Sequence, residues 1–185
     1  MSATVESWYY FAYGLNMNLA EMRRKCNKAK VVGIARLSDY KLAFYEHTVV
    51  WDGAMETIVP EPGAEVWGVL YELNAYEWEE LDSFEDVRMD GTGAYFGYPV
   101  EVLFEGSTLT PANVYLKARW GLAGLPSAEY MGTLIQGAIE QGLPEHYIHF
   151  LKGLDTKPAA YVVPKRPSGS KLIVSGDCSG CSDAV

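Results

Sequence analysis

The sequence predicts an α+β fold, a small mixed β-barrel of about seven strands with a few short helices. Its length of 185 residues suits one domain with a substantial core. Several segments rich in aromatic and β-branched residues have the patterns of strands. Helical patterns are few and short, and no internal repeat is present. We therefore expect one barrel-like domain over residues 1–153 and a C-terminal tail over residues 154–185.

The predicted strands follow one another with clear breaks. The first is a dense aromatic run over residues 8–13. Gly14 permits a sharp turn after it, and we expect a positive φ there. Ser38-Asp39 divides the next apolar region into two strands, and the Pro-Glu-Pro-Gly sequence at 60–63 ends a short one. The predicted strands are 8–13, 31–36, 40–45, 57–59, 65–73, 95–104 and 112–118.

Polar capping residues predict where the helices begin. Asn18 is followed three residues later by Glu21, and Asn74 by Glu77, which is the spacing of a capping box. Ser127 opens a run whose apolar residues repeat at helical spacing. The predicted helices cover roughly residues 19–26, 75–82, 127–141 and 145–152. In the tail, one extra strand near residues 160–164 is an alternative to irregular chain.

Charge and composition limit the partners. The net charge is −9, whereas nucleic-acid binding needs clustered Lys and Arg, so no nucleic-acid partner is expected. No apolar run approaches the roughly 18–20 residues that span a bilayer, and the N-terminus lacks the basic region of a signal peptide. We expect a cytoplasmic protein without membrane partners that binds a small molecule. Its oligomeric state stays open, with a homodimer as one option.

The turn after the first strand is the first candidate for function. A glycine turn that leads into a helix exposes backbone N–H groups, which suit a carboxylate or a developing oxyanion. Most turns of this kind only change the direction of the chain. The spacing of Tyr13, Gly14, Leu15 and Asn16 is therefore a weak signal by itself.

Glu85 is the second candidate, just past a predicted helix and next to an aromatic residue. A carboxylate in an apolar pocket lined by tyrosines has a raised pKa, and it can then act as a base and afterwards as an acid near neutral pH. The alternative is that Asp82, Glu85 and Asp86 are three solvated acids at a helix end, which is the commoner case. The chain has 13 tyrosines, enough to line a polar pocket, although strands are rich in aromatic residues in any case.

The cysteines predict no firm site. Cys178 and Cys181 have the spacing of half a zinc site, and His146 and His149 could complete it. A flexible tail with incidental cysteines is the simpler interpretation. We expect no metal and no cofactor.

Taken together, ordered segments over about residues 8–153 resemble the γ-glutamylcyclotransferase family. The first is Tyr10-Phe-Ala-Tyr-Gly-Leu-Asn-Met17, which is similar to the family's opening Tyr-Phe-Ala-Tyr-Gly-Ser-Asn. Each remaining segment is weak evidence by itself, but the shared order of all of them makes the resemblance specific. They are Ala35-Arg-Leu-Ser-Asp-Tyr-Lys-Leu42, Trp51-Asp-Gly-Ala54 with Thr57-Ile58, Glu65-Val-Trp-Gly-Val69, Leu81-Asp-Ser-Phe-Glu-Asp-Val87, and Gly142-Leu-Pro144 with Tyr147.

The resemblance implies a cyclotransferase that converts γ-glutamyl amino acids or amines to 5-oxoproline and releases the amine. It implies that Glu85 transfers the protons. It also implies that the turn binds the glutamyl group and that further tyrosines line the pocket. The implied substrate-binding residues are Tyr13, Gly14, Leu15, Asn16, Tyr95, Tyr115 and Tyr130.

Three departures from the family pattern stand out. Leu15 replaces the usual Ser, Glu56 stands where a small residue is expected, and the loop over residues 88–94 is long enough to cover the pocket mouth. Two other functions therefore stay open. One is removal of a γ-glutamyl protecting group from a biosynthetic amine, and the other is small-molecule binding without catalysis.

Overall fold

A computed structural model describes residues 7–165, which contain five β-strands and four α-helices. The strands are β1 Ser7–Ala12, β2 Lys30–Thr48, β3 Gly53–Asn74, β4 Tyr95–Phe104 and β5 Thr108–Lys117. The helices are α1 Leu19–Lys25, α2 Ala75–Phe84, α3 Ala128–Glu140 and α4 Glu145–Lys152. One turn of 3₁₀ helix, Leu15–Met17, lies between β1 and α1.

The strands form a closed barrel in the order β1-β3-β2-β4-β5. All neighbours are antiparallel except β5 and β1, which close the barrel in parallel where Asn113 pairs with Tyr10. The predicted α+β barrel is confirmed. Because directions alternate around the barrel, the ends of β1, β2 and β5 lie at the same rim as the starts of β3 and β4.

The strand count of about seven was too high because two long strands contain features that resemble strand ends. β2 continues through Ser38-Asp39 as an irregularity, with Asp39 in the left-handed region at φ 62°. β3 continues through Pro60, which still pairs with Tyr40 of β2. Between the Ser38–Glu65 and Tyr40–Pro60 pairs, β3 has three more residues than β2. The extra residues bend one hairpin and do not divide it.

The caps that the sequence predicts are present. The Asn18 side chain accepts from the N–H groups of Ala20 and Glu21 at the start of α1. Asn74 and Glu77 form a full capping box at the start of α2. This cap orients α2 as it leaves β3, and the helix then carries the chain back to Glu85 at the rim.

Helix α3 packs closely against the turn that follows β1. A Cβ atom added at Gly137 would lie only 2.3 Å from the Asn18 nitrogen, so this helix position needs glycine. The buried residues Tyr130, Leu134 and Ala138 present the apolar face of α3 to the core. The 3₁₀ turn Leu15–Met17 is thus packed between the barrel and α3.

Residues 154–165 pack on the domain without forming a strand. Lys157 makes backbone bonds with Ala128 and Pro126, and the Lys165 N–H donates to the Val50 carbonyl at 2.7 Å. The alternative of a strand near 160–164 is not what the structure shows, because these residues form bends. The Ala160 N–H donates to the Asp52 carboxylate and the Tyr161 hydroxyl to the Val49 carbonyl, both in the β2–β3 loop. The domain boundary at residue 153 stays a prediction, and Cys178 and Cys181 lie outside the described residues.

Candidate active site

The rim where β1 and β5 end encloses a small inner cavity of about 20 Å³. Every side chain that lines it is an acid, an amide or a tyrosine, apart from the glycine of the turn. The sequence-predicted Tyr13, Gly14, Asn16, Glu85, Tyr95 and Tyr115 are all part of this wall, together with Tyr10 and Glu56.

Glu85 caps the C-terminus of α2, where its N–H donates to the Leu81 carbonyl at 2.9 Å. Its Oε1 accepts from Asn16 Nδ2 at 2.9 Å and from Lys25 Nζ at 2.7 Å. Its side chain is only 13% exposed. Among residues 7–165, no hydrogen bond reaches Oε2, so one oxygen is fixed while the other has no hydrogen-bond partner.

Lys25 gives this carboxylate a cation that the sequence did not predict. Its side chain is 10% exposed at the end of α1, and its Nζ lies 2.7 Å from Glu85 Oε1. The expected surroundings of Glu85 were an apolar pocket lined by tyrosines. The actual site is therefore an ion pair at the wall of a tyrosine-lined cavity, and the pair favours a fixed carboxylate over a mobile one.

Asn16 joins the turn to Glu85. Its Nδ2 donates to Glu85 and also to the Tyr10 hydroxyl at 2.8 Å. Its main-chain carbonyl accepts from the Tyr71 hydroxyl at 2.9 Å. Its side-chain Oδ1 is buried and has no hydrogen-bond partner within the described part of the chain. A buried acceptor of this kind is costly unless a ligand donor reaches it.

Gly14 does not adopt the positive φ that its place in a tight turn suggested. Its φ is −120°, which other residues can adopt. A Cβ atom here would instead lie 2.1 Å from Oε1 and 2.6 Å from Cδ of Glu56. Position 14 therefore needs glycine for space, because the Glu56 side chain lies directly against the turn.

Glu56 uses the anion-binding donors of the turn. Its Oε1 accepts from the Leu15 N–H at 3.2 Å, and its Oε2 accepts a short hydrogen bond from the Tyr130 hydroxyl. Burial raises the pKa of the Glu56 carboxyl, and the bonds from Tyr130 and Leu15 oppose part of that increase. The departure at position 56 thus places a second carboxylate in the site.

Internal partners already hold the tyrosine hydroxyls. Tyr13 donates to the Tyr115 carbonyl, Tyr115 to Asp82 Oδ1 at 2.6 Å, and Tyr95 to the Glu56 carbonyl at 2.9 Å. Burial raises the pKa of Tyr13, Tyr95 and Tyr115, so these hydroxyls stay protonated. They shape and orient the cavity and do not supply a base.

Tyr130 reaches the site only indirectly. It does not line the inner cavity, and its hydroxyl contacts Glu56 instead. Tyr10, which the sequence did not single out, lines the cavity and accepts a hydrogen bond from Asn16.

A larger cleft of about 580 Å³ lies next to the inner cavity and shares Glu85 and Tyr95 with it. Leu15 and Ala94 also line this cleft, so the end of the long loop over residues 88–94 reaches its wall. Its charged and ionisable lining residues are Arg24, Lys25, Glu46, His47, Glu85, Asp86 and Lys117. The volume of this cleft is large enough for a small-molecule ligand, whereas the inner cavity has room for only about one water molecule.

Two contributors, Lys25 and Tyr10, escaped the sequence analysis, and the place of a third, Glu56, in the site was not predicted. Lys25 belongs to a short basic cluster with Arg23 and Arg24, and only the packing of α1 beside α2 selects it. Tyr10 was one aromatic residue in a strand of aromatics. Glu56 carried a signal as a departure from the family pattern, but the sequence did not show that its side chain lies in the site.

Comparison with known proteins supports one class. A profile of the AIG2-like family matches residues 65–151. A solved structure described as γ-glutamyl cyclotransferase superposes with a TM-score of 0.80 at 31% identity, covering 85% of this chain and 94% of that one. The fold is that of a γ-glutamyl cyclotransferase.

The curated relatives agree. γ-Glutamylcyclotransferase of Homo sapiens is 33% identical over 154 residues, covering 81% of this chain and 80% of the relative. The Mus musculus protein of the same name is 34% identical over 155 residues, with the same coverage. This chain belongs to the γ-glutamylcyclotransferase family, which is a family of enzymes.

Two further observations concern residues 7–165. No group of three or more His, Cys, Asp or Glu side chains there is arranged to hold a metal ion. None of their helices combines the length and apolar character needed to cross a membrane. The cytoplasmic location and the homodimer option stay predictions.

Proposed function

We propose that this protein cyclises γ-glutamyl amino acids or amines to 5-oxoproline and releases the amine, with Glu85 acting first as base and then as acid. The observation that carries the proposal is the fixed geometry of Glu85. Lys25 and Asn16 hold Oε1, while Oε2 has no hydrogen-bond partner among residues 7–165. A carboxylate held in this way can take and return a proton without moving far.

The substrate supplies its own nucleophile, so the protein needs no catalytic serine or cysteine. The α-amine of a γ-glutamyl group can attack its own γ-carbonyl and close a five-membered ring. The protein has to fold the substrate so that these atoms meet, and such positioning lowers a barrier by roughly 7–11 kcal/mol. No step requires a metal or a cofactor.

The proton path uses one oxygen of Glu85 twice. The α-ammonium must lose a proton before its nitrogen can attack, and Glu85 Oε2 accepts it. The leaving amine must gain a proton as its bond to the carbonyl carbon breaks, and the same carboxyl returns it. The unpaired Asn16 Oδ1, at the wall of the same cavity, suits an N–H of the reacting α-amine.

The turn residues bind the glutamyl group in this proposal. Tyr13, Gly14 and Asn16 line the inner cavity together with Tyr95 and Tyr115, and Leu15 lines the adjoining cleft. Because the inner cavity is about 20 Å³, the rest of the substrate lies in the cleft of about 580 Å³. A backbone donor aimed at a developing oxyanion contributes about 3–4 kcal/mol to catalysis.

A second candidate function is binding of a small metabolite without turnover. The observation in its favour is that Glu56 already accepts the Leu15 N–H, a donor that a γ-glutamyl substrate would use. Release of a γ-glutamyl protecting group from a biosynthetic amine is a variant of the first function, since it uses Glu85 in the same way.

A panel of substrates tests the proposal. Purified protein is incubated with γ-glutamyl-alanine, glutathione and a γ-glutamyl amine, and 5-oxoproline is measured. The cyclisation proposal predicts turnover of at least one compound by wild type and by Glu101→Gln, an exposed control on β4, with loss of turnover in Glu85→Gln. Equal inertness of wild type and Glu85→Gln, together with ligand protection against melting, would favour binding without turnover.

A further inference from the structure

Glu56 is a buried carboxylate of the chain itself, placed on the turn that the proposed function assigns to the substrate. Both of its oxygens act as acceptors, one for the Leu15 N–H at 3.2 Å and the other for the Tyr130 hydroxyl. Its carboxylate also lies against Gly14, where a Cβ atom would be 2.1 Å from Oε1. The donors of the turn that suit an anion are therefore occupied by an anion that the protein supplies.

The space around these donors is occupied as well. The inner cavity that Glu56 and Glu85 line together has a volume of about 20 Å³, which is enough for about one water molecule. A substrate carboxylate could reach the Leu15 N–H only by displacing the Glu56 side chain. Displacement would also strip the Tyr130 hydroxyl of its buried acceptor.

The charges of the site disfavour a second anion near Glu56. The cations that line the site and its cleft already have acidic partners: Lys25 pairs with Glu85 at 2.7 Å, Lys117 with Glu46 at 2.8 Å and Arg24 with Glu21 at 3.0 Å. Within residues 7–165, Glu56 has hydrogen-bond donors but no ion pair, so its charge is not neutralised by a neighbour. A substrate carboxylate beside it would meet an uncompensated like charge in a buried setting.

We propose that Glu56 selects γ-glutamyl substrates whose own α-carboxyl is bound in an amide, as in a γ-substituted glutamyl residue at the N-terminus of a peptide. The proposal rests on the cyclisation proposed above and names the substrate class of the same site. An α-amide carries no charge, and its N–H can donate to the Glu56 carboxylate where a free α-carboxylate is repelled. Glu56 is thus a specificity-determining residue that replaces carboxylate binding with amide binding.

The reaction balances for this substrate class as it does for a γ-glutamyl compound with a free α-carboxylate. The α-nitrogen forms a bond to the γ-carbonyl carbon, and the bond from that carbon to the leaving nitrogen breaks. The proton lost by the α-nitrogen passes through Glu85 to the leaving amine. The products are a 5-oxoprolyl amide or peptide and a free amine, and no oxidant or co-reactant is needed.

Two matched substrates test the selection. One is γ-glutamyl-alanine with a free glutamyl α-carboxylate, and the other is the same compound with that carboxyl converted to a primary amide. The release of alanine gives kcat/KM for each. We expect wild type to prefer the amide by at least about tenfold and Glu56→Ala to lower this ratio by at least about tenfold. Glu56→Gln should lower the ratio as well, because it keeps the shape and removes the charge.

The controls separate this selection from the underlying activity. Glu61→Gln removes an acid from the same strand, where Glu61 pairs with Lys41 far along the hairpin, and it should keep the wild-type ratio. If wild type prefers the free acid, or if both Glu56 variants keep the wild-type ratio, the role of Glu56 is overturned while cyclisation stands. If wild type releases the amine from neither member of the matched pair for any compound of the substrate panel above, the proposed function itself falls.

A binding measurement covers the case in which Glu56→Ala does not fold. The products 5-oxoproline and 5-oxoprolinamide differ only in the α-carboxyl. We expect 5-oxoprolinamide to raise the melting temperature of wild type more than 5-oxoproline does, and Glu56→Gln to reduce or reverse that difference. The same difference in wild type and Glu56→Gln would overturn the proposal without reference to catalysis.

Discussion

Glu56 and Glu85 line one cavity of about 20 Å³, yet of the two only Glu85 has an ion pair among residues 7–165. Lys25 and Asn16 fix one oxygen of Glu85. Glu56 instead is held by a backbone N–H and a tyrosine hydroxyl. Two carboxylates in one small space thus have different surroundings, and our proposals assign proton transfer to Glu85 and substrate selection to Glu56.

The ion pair of Lys25 with Glu85 should matter more for activity than for folding. Lys25→Met removes the cation that holds Glu85 Oε1 at 2.7 Å, so we expect kcat/KM to fall by at least about tenfold. Lys25→Arg keeps the charge and should retain more of the activity. Steady-state kinetics and thermal melting of both variants measure this. Equal activity of Lys25→Met and wild type would remove Lys25 from the site.

Gly14 and Glu56 should be energetically coupled. Gly14→Ala places a methyl group where the Glu56 carboxylate lies, so we expect it to destabilise the protein by roughly 1–3 kcal/mol. In a Glu56→Ala background the same change should cost clearly less, because the obstructing side chain is gone. Chemical denaturation of the two single variants and the double variant gives the coupling. Additive effects would contradict the contact.

Glu56 should make the stability depend on pH in a definite direction. Burial raises its pKa in the folded state above the usual 4.5, so the folded protein binds this proton more tightly than the unfolded chain. Its contribution to stability therefore falls as pH rises from about 4.5 through the raised value. Glu56→Gln cannot titrate, so its melting temperature relative to wild type should be higher at pH 8 than at pH 5. A difference that is constant with pH would contradict a raised pKa.

Residues 154–165 should stabilise the domain. Tyr161 donates to the Val49 carbonyl at 2.7 Å, and the Ala160 N–H donates to Asp52 at 2.7 Å. Truncation after Gly153 removes these bonds and the backbone bonds of Lys157, so we expect the melting temperature to fall by roughly 5–10 °C. An unchanged melting temperature would support residue 153 as the end of the folded unit.

Asp52 should make the packing of residues 154–165 on the domain sensitive to acid. The hydrogen bond from the Ala160 N–H, with the one from His47, lowers the pKa of Asp52 from 3.8 to about 2. The stabilisation is present above pH 3.8 and is lost as pH falls through about 2. Asp52→Asn should therefore melt earlier than wild type at pH 6, and the difference should shrink toward pH 2. Calorimetry at several pH values measures both effects.

The sequence was sufficient for the architecture because the local signals agreed with one another. Asn18 and Asn74 cap the helices that they predict, and Ser127 accepts from the Tyr130 N–H at the start of α3. Strand continuity was harder to predict. Asp39 and Pro60 are residues that usually end strands, and only pairing across the hairpin shows that β2 and β3 continue through them.

The site was predictable only in part for a related reason. Glu85 and the turn at Gly14 could be located by their order along the chain. Lys25 reaches Glu85 across 60 positions of sequence, and Glu56 reaches Leu15 across 41. Contacts of this kind depend on how helices and strands pack, and no local pattern records them. The positive φ expected at Gly14 was wrong for the same reason, since the glycine makes room for a distant side chain.

The most direct test of the proposed chemistry is the rate of 5-oxoproline formation by Glu85→Gln under single-turnover conditions, with the enzyme in excess over a γ-glutamyl substrate that wild type converts. The glutamine keeps the shape of the side chain but cannot exchange the proton. We expect the rate to fall by at least about a hundredfold while the melting temperature stays close to that of wild type. A rate equal to that of wild type would show that another group moves the proton.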